Sequence, residues 1–402
     1  MHEVELSTVG LLLFVACLVA IISRRIGLPY TVGLVVAGIA LSLGGYRSGI
    51  QLTPELIFTL LLPPLVFEAA LHLHWSQFVR EAPLVLNIAF VGTLLSAAVV
   101  ACGMHWLIGW GWQAALLFGS LIAATDPVSV IAMMKEQDAD KRLRFIMESE
   151  SLVNDAAAAV LFGLCIAWIS GESVSAGSIA LSLLLTIAGG VLCGLVVAGG
   201  LLVIAGRSDD HLVELTLTVL AAYGSFGLAE ELEVSGVLAA LSAGMLVGNW
   251  GPQRSITERG GQSVIRFWDF AAFLTNSVIF LLIGSREADQ AMTAYLWPAM
   301  AGIILALLGR TVAIYSLGEF YVRSRLKITL VTRHLLFWGG LRGALALALA
   351  LAAPTTLPEH DALVSVAFAV VAFSIFVQGL SFPALLRHSK LIAGQSQTSN
   401  QT

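Results

Sequence analysis

Ala124-Thr125-Asp126-Pro127-Val128 sets a carboxylate and a proline side by side in the middle of a long apolar run. Further on, Glu150-Ser151-Leu152-Val153-Asn154-Asp155 sets two more carboxylates inside a second such run. The rest of the chain decides how to read them. Of its 402 residues, 58% are hydrophobic and 12% charged, whereas soluble globular domains carry roughly 25% charged residues. The bias holds along the whole length, and the apolar runs suit bilayer-crossing helices of about 20 residues. A charged side chain at bilayer depth costs at least ~2.5–3.5 kcal/mol, so it is seldom incidental. Asp126 and Asp155 therefore read as ion or proton sites.

Working outward, hydropathy gives about thirteen spans, near 6–23, 28–45, 52–72, 82–108, 113–134, 144–170, 175–205, 212–230, 234–249, 263–285, 291–319, 332–353 and 361–387. They lack period-2 alternation and are too long for barrel strands, which predicts an all-α polytopic membrane protein. The expected organisation is a transmembrane domain over 1–387, with no soluble domain before or after it. A Ser-, Gln- and Thr-rich tail over 388–402 is expected to be disordered. The first apolar run follows His2, Glu3 and Glu5 and precedes Arg24 and Arg25, the reverse of a signal peptide. With the N-terminus outside, all but Arg47, Arg286, Arg310 and Arg342 of the 21 Lys and Arg fall on the inward side. Arg47 and Arg286 fall outward, and Arg310 and Arg342 lie within spans. This asymmetry predicts thirteen crossings in the cell inner (plasma) membrane, N-terminus out and C-terminus cytoplasmic. A net charge of −5 gives no sign of a nucleic-acid partner. Cys17, Cys102, Cys165 and Cys193 lack disulfide or metal spacing and read as buried free thiols.

Two spans look broken. Pro127 removes a helical hydrogen bond in the fifth, and Gly339-Gly340-Leu341-Arg342-Gly343 interrupts the twelfth. The breaks correspond if 1–170 and 212–387 are six-helix halves joined by a linker helix over 171–211. Six crossings plus one linker would insert the second half upside down. Interrupted helices at matching places of inverted halves point to a transport site near the midplane.

The side chains fit such a site. Ser151 and Asp155 are four apart and share a helix face, with Glu150 and Asn154 one step round. A monovalent cation needs several hard oxygen ligands. Asp155 supplies charge, Ser151 a hydroxyl, Thr125 a carbonyl freed by Pro127, and Glu68, beyond Pro63-Pro64, reaches the same cavity. For Asp126, ligation and compensation of half-helix dipoles both stay open. Arg310 reads as a structural counter-charge with Glu319 near its helix end, and Asp269 as a solvated funnel residue. His72 and His74 read as tolerated interfacial histidines rather than pH sensors. Glycine pairs such as Gly189-Gly190 and Gly199-Gly200 read as sites of close helix packing.

Five stretches carry a resemblance: Leu61-Leu62-Pro63-Pro64-Leu65-Val66-Phe67-Glu68, Ala124-Thr125-Asp126-Pro127, Glu150-Ser151-Leu152-Val153-Asn154-Asp155, Phe267-Trp268-Asp269-Phe270 with Phe280-Leu281-Leu282-Ile283-Gly284, and Trp338-Gly339-Gly340-Leu341-Arg342-Gly343-Ala344. In this order, across nearly the full chain, they resemble the cation/proton antiporters of the CPA1 class. That family holds the NhaP-type bacterial sodium/proton antiporters and the animal sodium/proton exchangers. The resemblance implies a Glu150–Arg342 ion pair in the core and a homodimer through scaffold helices. The expected activity is exchange of Na⁺ or Li⁺ for H⁺, with cation and proton competing for Asp155. Ser151, Glu68, Thr125 and Asp126 complete the shell, and Asn154 orients it. Related antiporters with an Asp-Asp pair are the electrogenic ones, so Asn154 before the carrier predicts one cation per proton. No cofactor is expected, and ion gradients supply the energy. Potassium/proton exchange on the same scaffold stays open. A cation channel would want a pore-lining ring or filter loop, and no hydrolase arrangement of side chains is present.

Overall fold

The computed structural model describes residues 6–26, 28–45, 53, 55–171, 176–206, 210–289 and 295–399. Among these the chain forms thirteen helical rods and no strand. They are α1 (Leu6–Ile26), α2 (Tyr30–Leu43), α3 (Leu56–His72), α4 (Trp75–Ile108), α5 in two pieces (α5a Trp112–Ala123, α5b Val128–Glu136), α6 (Lys141–Ile169) and α7 (Ala176–Ala205). Then follow α8 (His211–Glu231), α9 (Gly236–Arg254), α10 (Glu258–Asp289), α11 (Leu296–Phe320), α12 in two pieces (α12a Leu330–Trp338, α12b Ala344–Leu351) and α13 (His360–Ser389). Eight of these rods are long and apolar enough to cross a membrane by themselves. Both expected breaks are present.

Polar residues set where several helices start. Asp140 accepts from the amides of Arg142 and Leu143 at 2.7 and 3.0 Å, capping α6, and Ser235 and Thr329 cap α9 and α12a in the same way. At the other end of the chain the last helical segment continues to Ser399, through most of the stretch expected to be disordered. Extending an anchored helix adds one residue at a time and avoids the nucleation cost. Arg47 and Arg207, used to orient the chain, lie outside the described residues, as do 172–175 and 207–209 of the expected linker.

The rods pack in two groups. In the first, α2 lies along α10, α3 along α9, and α7 and α8 against α9; in the second, α4 lies along α5 and α11, α5 along α6, and α13 along α11 and α12. Small residues bring the first group's backbones together. A Cβ on Gly38 would overlap the Leu281 carbonyl, and one on Gly284 the Val35 carbonyl. A Cβ on Gly189 would come within 2.7 Å of Val234 and one on Gly190 within 2.5 Å of the Ser235 carbonyl, whereas one on Gly200 would face open space. Only the first of the two glycine pairs is thus a tight contact. In the second group, Glu81 and Arg142 tie α4 to α6 through bonds of 2.7 and 2.8 Å.

Cys165 and Cys193 are buried, but Cys102 is half-buried and Cys17 exposed. All four are free thiols, and the expectation of burial fails for Cys17. It shares α1 with Phe14, Leu18 and Ile21, all exposed. A lipid-facing surface is as apolar as a core, so composition alone does not separate the two.

Candidate cation-binding site

The break in α5 begins where helical bonding stops after Ala123; Ala124 is extended at φ −57°, ψ 142°. In α12 the interruption covers Gly339–Gly343. The two breaks meet, and the Asp126 amide donates to the Leu341 carbonyl at 2.7 Å. Four half-helix ends converge here, each with unsatisfied backbone groups. Arg342 Nη1 donates to the carbonyls of Ala123 and Ala124 at 2.8 and 2.9 Å, at the C-terminus of α5a. Arg310 Nη2 donates to the Leu336 carbonyl at 3.1 Å, near the C-terminus of α12a. The Asp126 carboxylate accepts from the amide of Val128 at 3.1 Å, and from that of Ala344, the first residues of α5b and α12b. Cations at helix C-termini and an anion at N-termini are what the helix dipoles favour.

Thr125 is held from α6. Ser151 Oγ donates to its carbonyl at 2.6 Å. Asn154 accepts from the Thr125 amide at 3.1 Å and donates to Thr125 Oγ1 at 3.2 Å. Asn154 Nδ2 also donates to Glu150 Oε1 at 3.1 Å. Glu150 in turn takes a two-pronged contact from Arg310, Nη1 to Oε1 at 2.7 Å and Nη2 to Oε2 at 2.9 Å. Both side chains are buried, 2% and 7% exposed.

This corrects the expected ion pair. Glu150 pairs with Arg310, not with Arg342, whose guanidinium serves the carbonyl ends of α5a. Arg310 is thus a buried counter-charge as expected, with Glu150 as its partner, while Glu319 near the end of its helix binds Arg333 at 2.7 Å. Both arginines lie mid-span in apolar sequence. Their partners depend on which helix passes each guanidinium.

A cavity of about 310 Å³ lies between the two helix groups. Its wall includes Tyr30, Glu68, Thr125, Asp126, Glu148, Ser151, Asp155, Asp269 and Asn276. The expected ligands Asp155, Asp126, Thr125, Ser151 and Glu68 are thus gathered in one space. Asn154, Glu150 and Arg342 stand behind its wall as a scaffold. Asp155 Oδ1 is buried and has no hydrogen-bond partner among the described residues. Glu68 is also engaged elsewhere: His72 Nε2 lies 3.3 Å from its Oε1 and 3.2 Å from Asp269 Oδ1. Asp269 is half exposed, as a funnel residue should be.

Sequence reasoning passed over Glu148. It lies three residues before Ser151 and seven before Asp155, on the same face of α6, and it lines the cavity. That i, i+3, i+7 spacing was the available signal.

A second cavity, about 710 Å³, opens at the other end of the same interface, lined by Phe58, Ala159, Gly163, Thr186, Glu230 and Leu349 among others. Along α6, Asp155 faces the first cavity and Ala159 the second. They are one helical turn apart, about 6 Å.

Residues 11–388 match the family profile of the transmembrane sodium/hydrogen exchangers. The chain is 37% identical over 376 residues to the low-affinity Na⁺/H⁺ antiporter NhaS1 of Synechocystis sp., across 92% of this chain and 71% of that protein. It is 35% identical over 372 residues to the Na⁺/H⁺ antiporter ApNhaP of Aphanothece halophytica, with the same shares. Against the Na⁺/H⁺ antiporter NhaH of Halobacillus dabanensis it is 31% identical over 407 residues, across 97% of this chain and 99% of that one. The sodium proton antiporter MjNhaP1 from Methanocaldococcus jannaschii has the same fold, with a TM-score of 0.75 at 18% identity, across 94% of this chain and 97% of that one. The chain is a multi-pass membrane protein and belongs to the sodium/hydrogen exchanger family, whose members are transporters rather than enzymes.

Proposed function

We propose that this protein is a secondary antiporter that exchanges Na⁺, and also Li⁺, for H⁺, with the two ions competing for Asp155. One observation carries the proposal. Asp155 Oδ1 is a buried carboxylate oxygen without a donor among the described residues, in the wall of a cavity that also holds Ser151, Thr125, Asp126 and Glu68. A buried carboxylate oxygen without a donor is costly, and either a bound proton or a bound cation relieves that cost. Occupation by one ion excludes the other, which is the coupling an antiporter needs.

The surrounding residues divide the work. Ser151 Oγ and the Thr125 carbonyl present oxygens beside the carboxylate, and Asn154 fixes Thr125 through two hydrogen bonds. Asp126 compensates two half-helix N-termini and faces the cavity, close enough to join the shell directly or through water. Arg310 and Glu150 lock the scaffold behind.

Alternating access follows from the two cavities. They lie between the same helix groups, at opposite ends, and about one turn of α6 separates Asp155 from the far one. A small displacement of the group carrying α5, α6 and α12 against the other closes one cavity and opens the second. The chain sits in the cell inner membrane with the N-terminus outside and the C-terminus cytoplasmic, as the Lys and Arg asymmetry supports. It works as a homodimer through the group containing α7, whose exposed Leu184, Leu192, Val196 and Ile204 supply apolar surface. With Asn154 beside the carrier, one cation leaves for one proton.

The test is proton flux in proteoliposomes on addition of Na⁺, Li⁺ or K⁺. Wild type responds to Na⁺ and Li⁺, and Asp155→Asn responds to none while inserting normally. Cation-driven proton flux retained in purified Asp155→Asn removes the carrier role from Asp155.

A further inference from the structure

The geometry points to a divalent transition-metal site at the mouth of the Asp155 cavity, formed by Glu68, His72 and Asp269, whose occupation by an ion of the Zn²⁺ class blocks exchange. The blocking step rests on the antiporter function proposed above; the metal site itself does not.

Glu68, His72 and Asp269 each offer one ligand atom, and these atoms lie within 4.8 Å of one another. His72 Nε2 is 3.3 Å from Glu68 Oε1 and 3.2 Å from Asp269 Oδ1. Ligands about 2.0–2.1 Å from a tetrahedral Zn²⁺ stand roughly 3.3 Å apart, the edge of the tetrahedron. Two of the three ligand–ligand edges, those from His72 to Glu68 and to Asp269, therefore already have the length of a tetrahedral edge. The third lies within 4.8 Å, and water would complete the shell. Two carboxylates also converge on one imidazole nitrogen. A single N–H cannot point squarely at both, so hydrogen bonding serves the arrangement poorly. A cation at that place serves all three.

The cluster is braced. Glu68 and His72 are four apart on α3, the spacing that lets two side chains ligate one metal from one helix face. The chain after His72 is clamped by Asn249, which donates to the Leu73 carbonyl and accepts from the Trp75 amide, both at 2.8 Å. Phe67 and Trp268, the neighbours of Glu68 and Asp269, pack with ring centroids 4.7 Å apart. Trp268 Nε1 donates to Thr218 Oγ1 at 2.9 Å. The ring contact holds α3 against α10, and the hydrogen bonds tie the end of α3 to α9 and α10 to α8, so the ligands need little rearrangement.

The donor set selects the ion class. Imidazole nitrogen suits Zn²⁺ and its transition-metal neighbours, whereas Na⁺, Mg²⁺ and Ca²⁺ prefer oxygen alone. A metal here takes Glu68 out of the carboxylates available to Na⁺ and leaves positive charge where Na⁺ enters. Bound ions of this kind are the largest local charges in a site.

The experiment uses untagged, full-length protein. Calorimetric titration with ZnCl₂ is expected to show one saturable site of micromolar affinity or tighter. His72→Gln and Asp269→Asn are expected to weaken it about tenfold or more. In wild type, Zn²⁺ is expected to protect His72 from carbethoxylation, read by peptide mass spectrometry, which needs no variant to fold. In proteoliposomes, Zn²⁺ is expected to slow Na⁺-driven proton flux and a chelator to restore it. Absent saturable binding, binding unchanged in both variants, or His72 modified equally fast with Zn²⁺ overturns the site. Binding that leaves flux untouched overturns the block. Wild type that binds Zn²⁺ yet shows no cation-driven flux overturns the antiporter proposal and leaves the metal site standing.

Discussion

Arg310→Met is expected to destabilise the fold more than any comparable change at Arg342. It removes both prongs on Glu150, at 2.7 and 2.9 Å, and the 3.1 Å bond to the Leu336 carbonyl. Glu150, 2% exposed, keeps the 3.1 Å hydrogen bond that Asn154 Nδ2 donates to it. Stranding one charge of a buried pair typically costs about 3–5 kcal/mol. Adding Glu150→Gln removes the stranded charge, so the double variant recovers part of the loss. Residues in one buried network couple by about 0.5–3 kcal/mol, while sites without shared partners add to within about 0.5 kcal/mol. The Glu150/Arg310 cycle therefore shows strong coupling. The Glu150/Arg342 cycle shows much less, because Arg342 bonds carbonyls of α5a. Denaturant titration of the purified protein in micelles, followed by tryptophan fluorescence, gives all the free energies needed. Additive losses at Glu150 and Arg310, or larger coupling to Arg342, would refute the assignment.

Other expectations follow from the same geometry. Asn154→Ala leaves the buried Thr125 amide without its acceptor, at about 1–3 kcal/mol of stability; it also loosens Thr125, so the KM for Na⁺ in vesicle assays rises more than the maximal rate falls. Gly343→Ala places a methyl group on the Asp126 carboxylate; exchange falls sharply and the melting temperature drops, whereas Gly200→Ala, facing open space, leaves both unchanged. One-for-one exchange moves no net charge, so a valinomycin-clamped potential leaves the rate unchanged; moving one charge across 100 mV would involve about 2.3 kcal/mol, and a transient current on solid-supported membranes would refute electroneutrality.

The sequence carried the fold because insertion into a bilayer is a local matter. Each apolar run must satisfy its backbone hydrogen bonds within itself, so hydropathy and length predict helices one at a time. Thirteen rods and two breaks, at Ala124–Pro127 and Gly339–Gly343, follow from that rule together with the behaviour of proline and glycine. The proposed carrier was legible for a related reason. A carboxylate at Asp155, four residues from Ser151 in an apolar helix, is too costly to be there without a task.

Partnership is a different kind of fact. Glu150 and Arg310 are 160 residues apart, and no local pattern separates Arg310 from Arg342 as its counter-ion. Only the crossing of α5 and α12 turns Arg342 toward the Ala123 and Ala124 carbonyls. The same crossing places Asp126 at two helix N-termini at once. The joining of Glu68 and His72 with Asp269, and the exposure of Cys17 on an apolar face, belong to this class as well. What the sequence by itself determined is which segments enter the membrane, where they break and which acid cannot be structural filler, because those costs are set residue by residue. Tertiary structure decided which charge meets which, because a guanidinium takes whatever oxygen the packing of distant helices brings within about 3 Å.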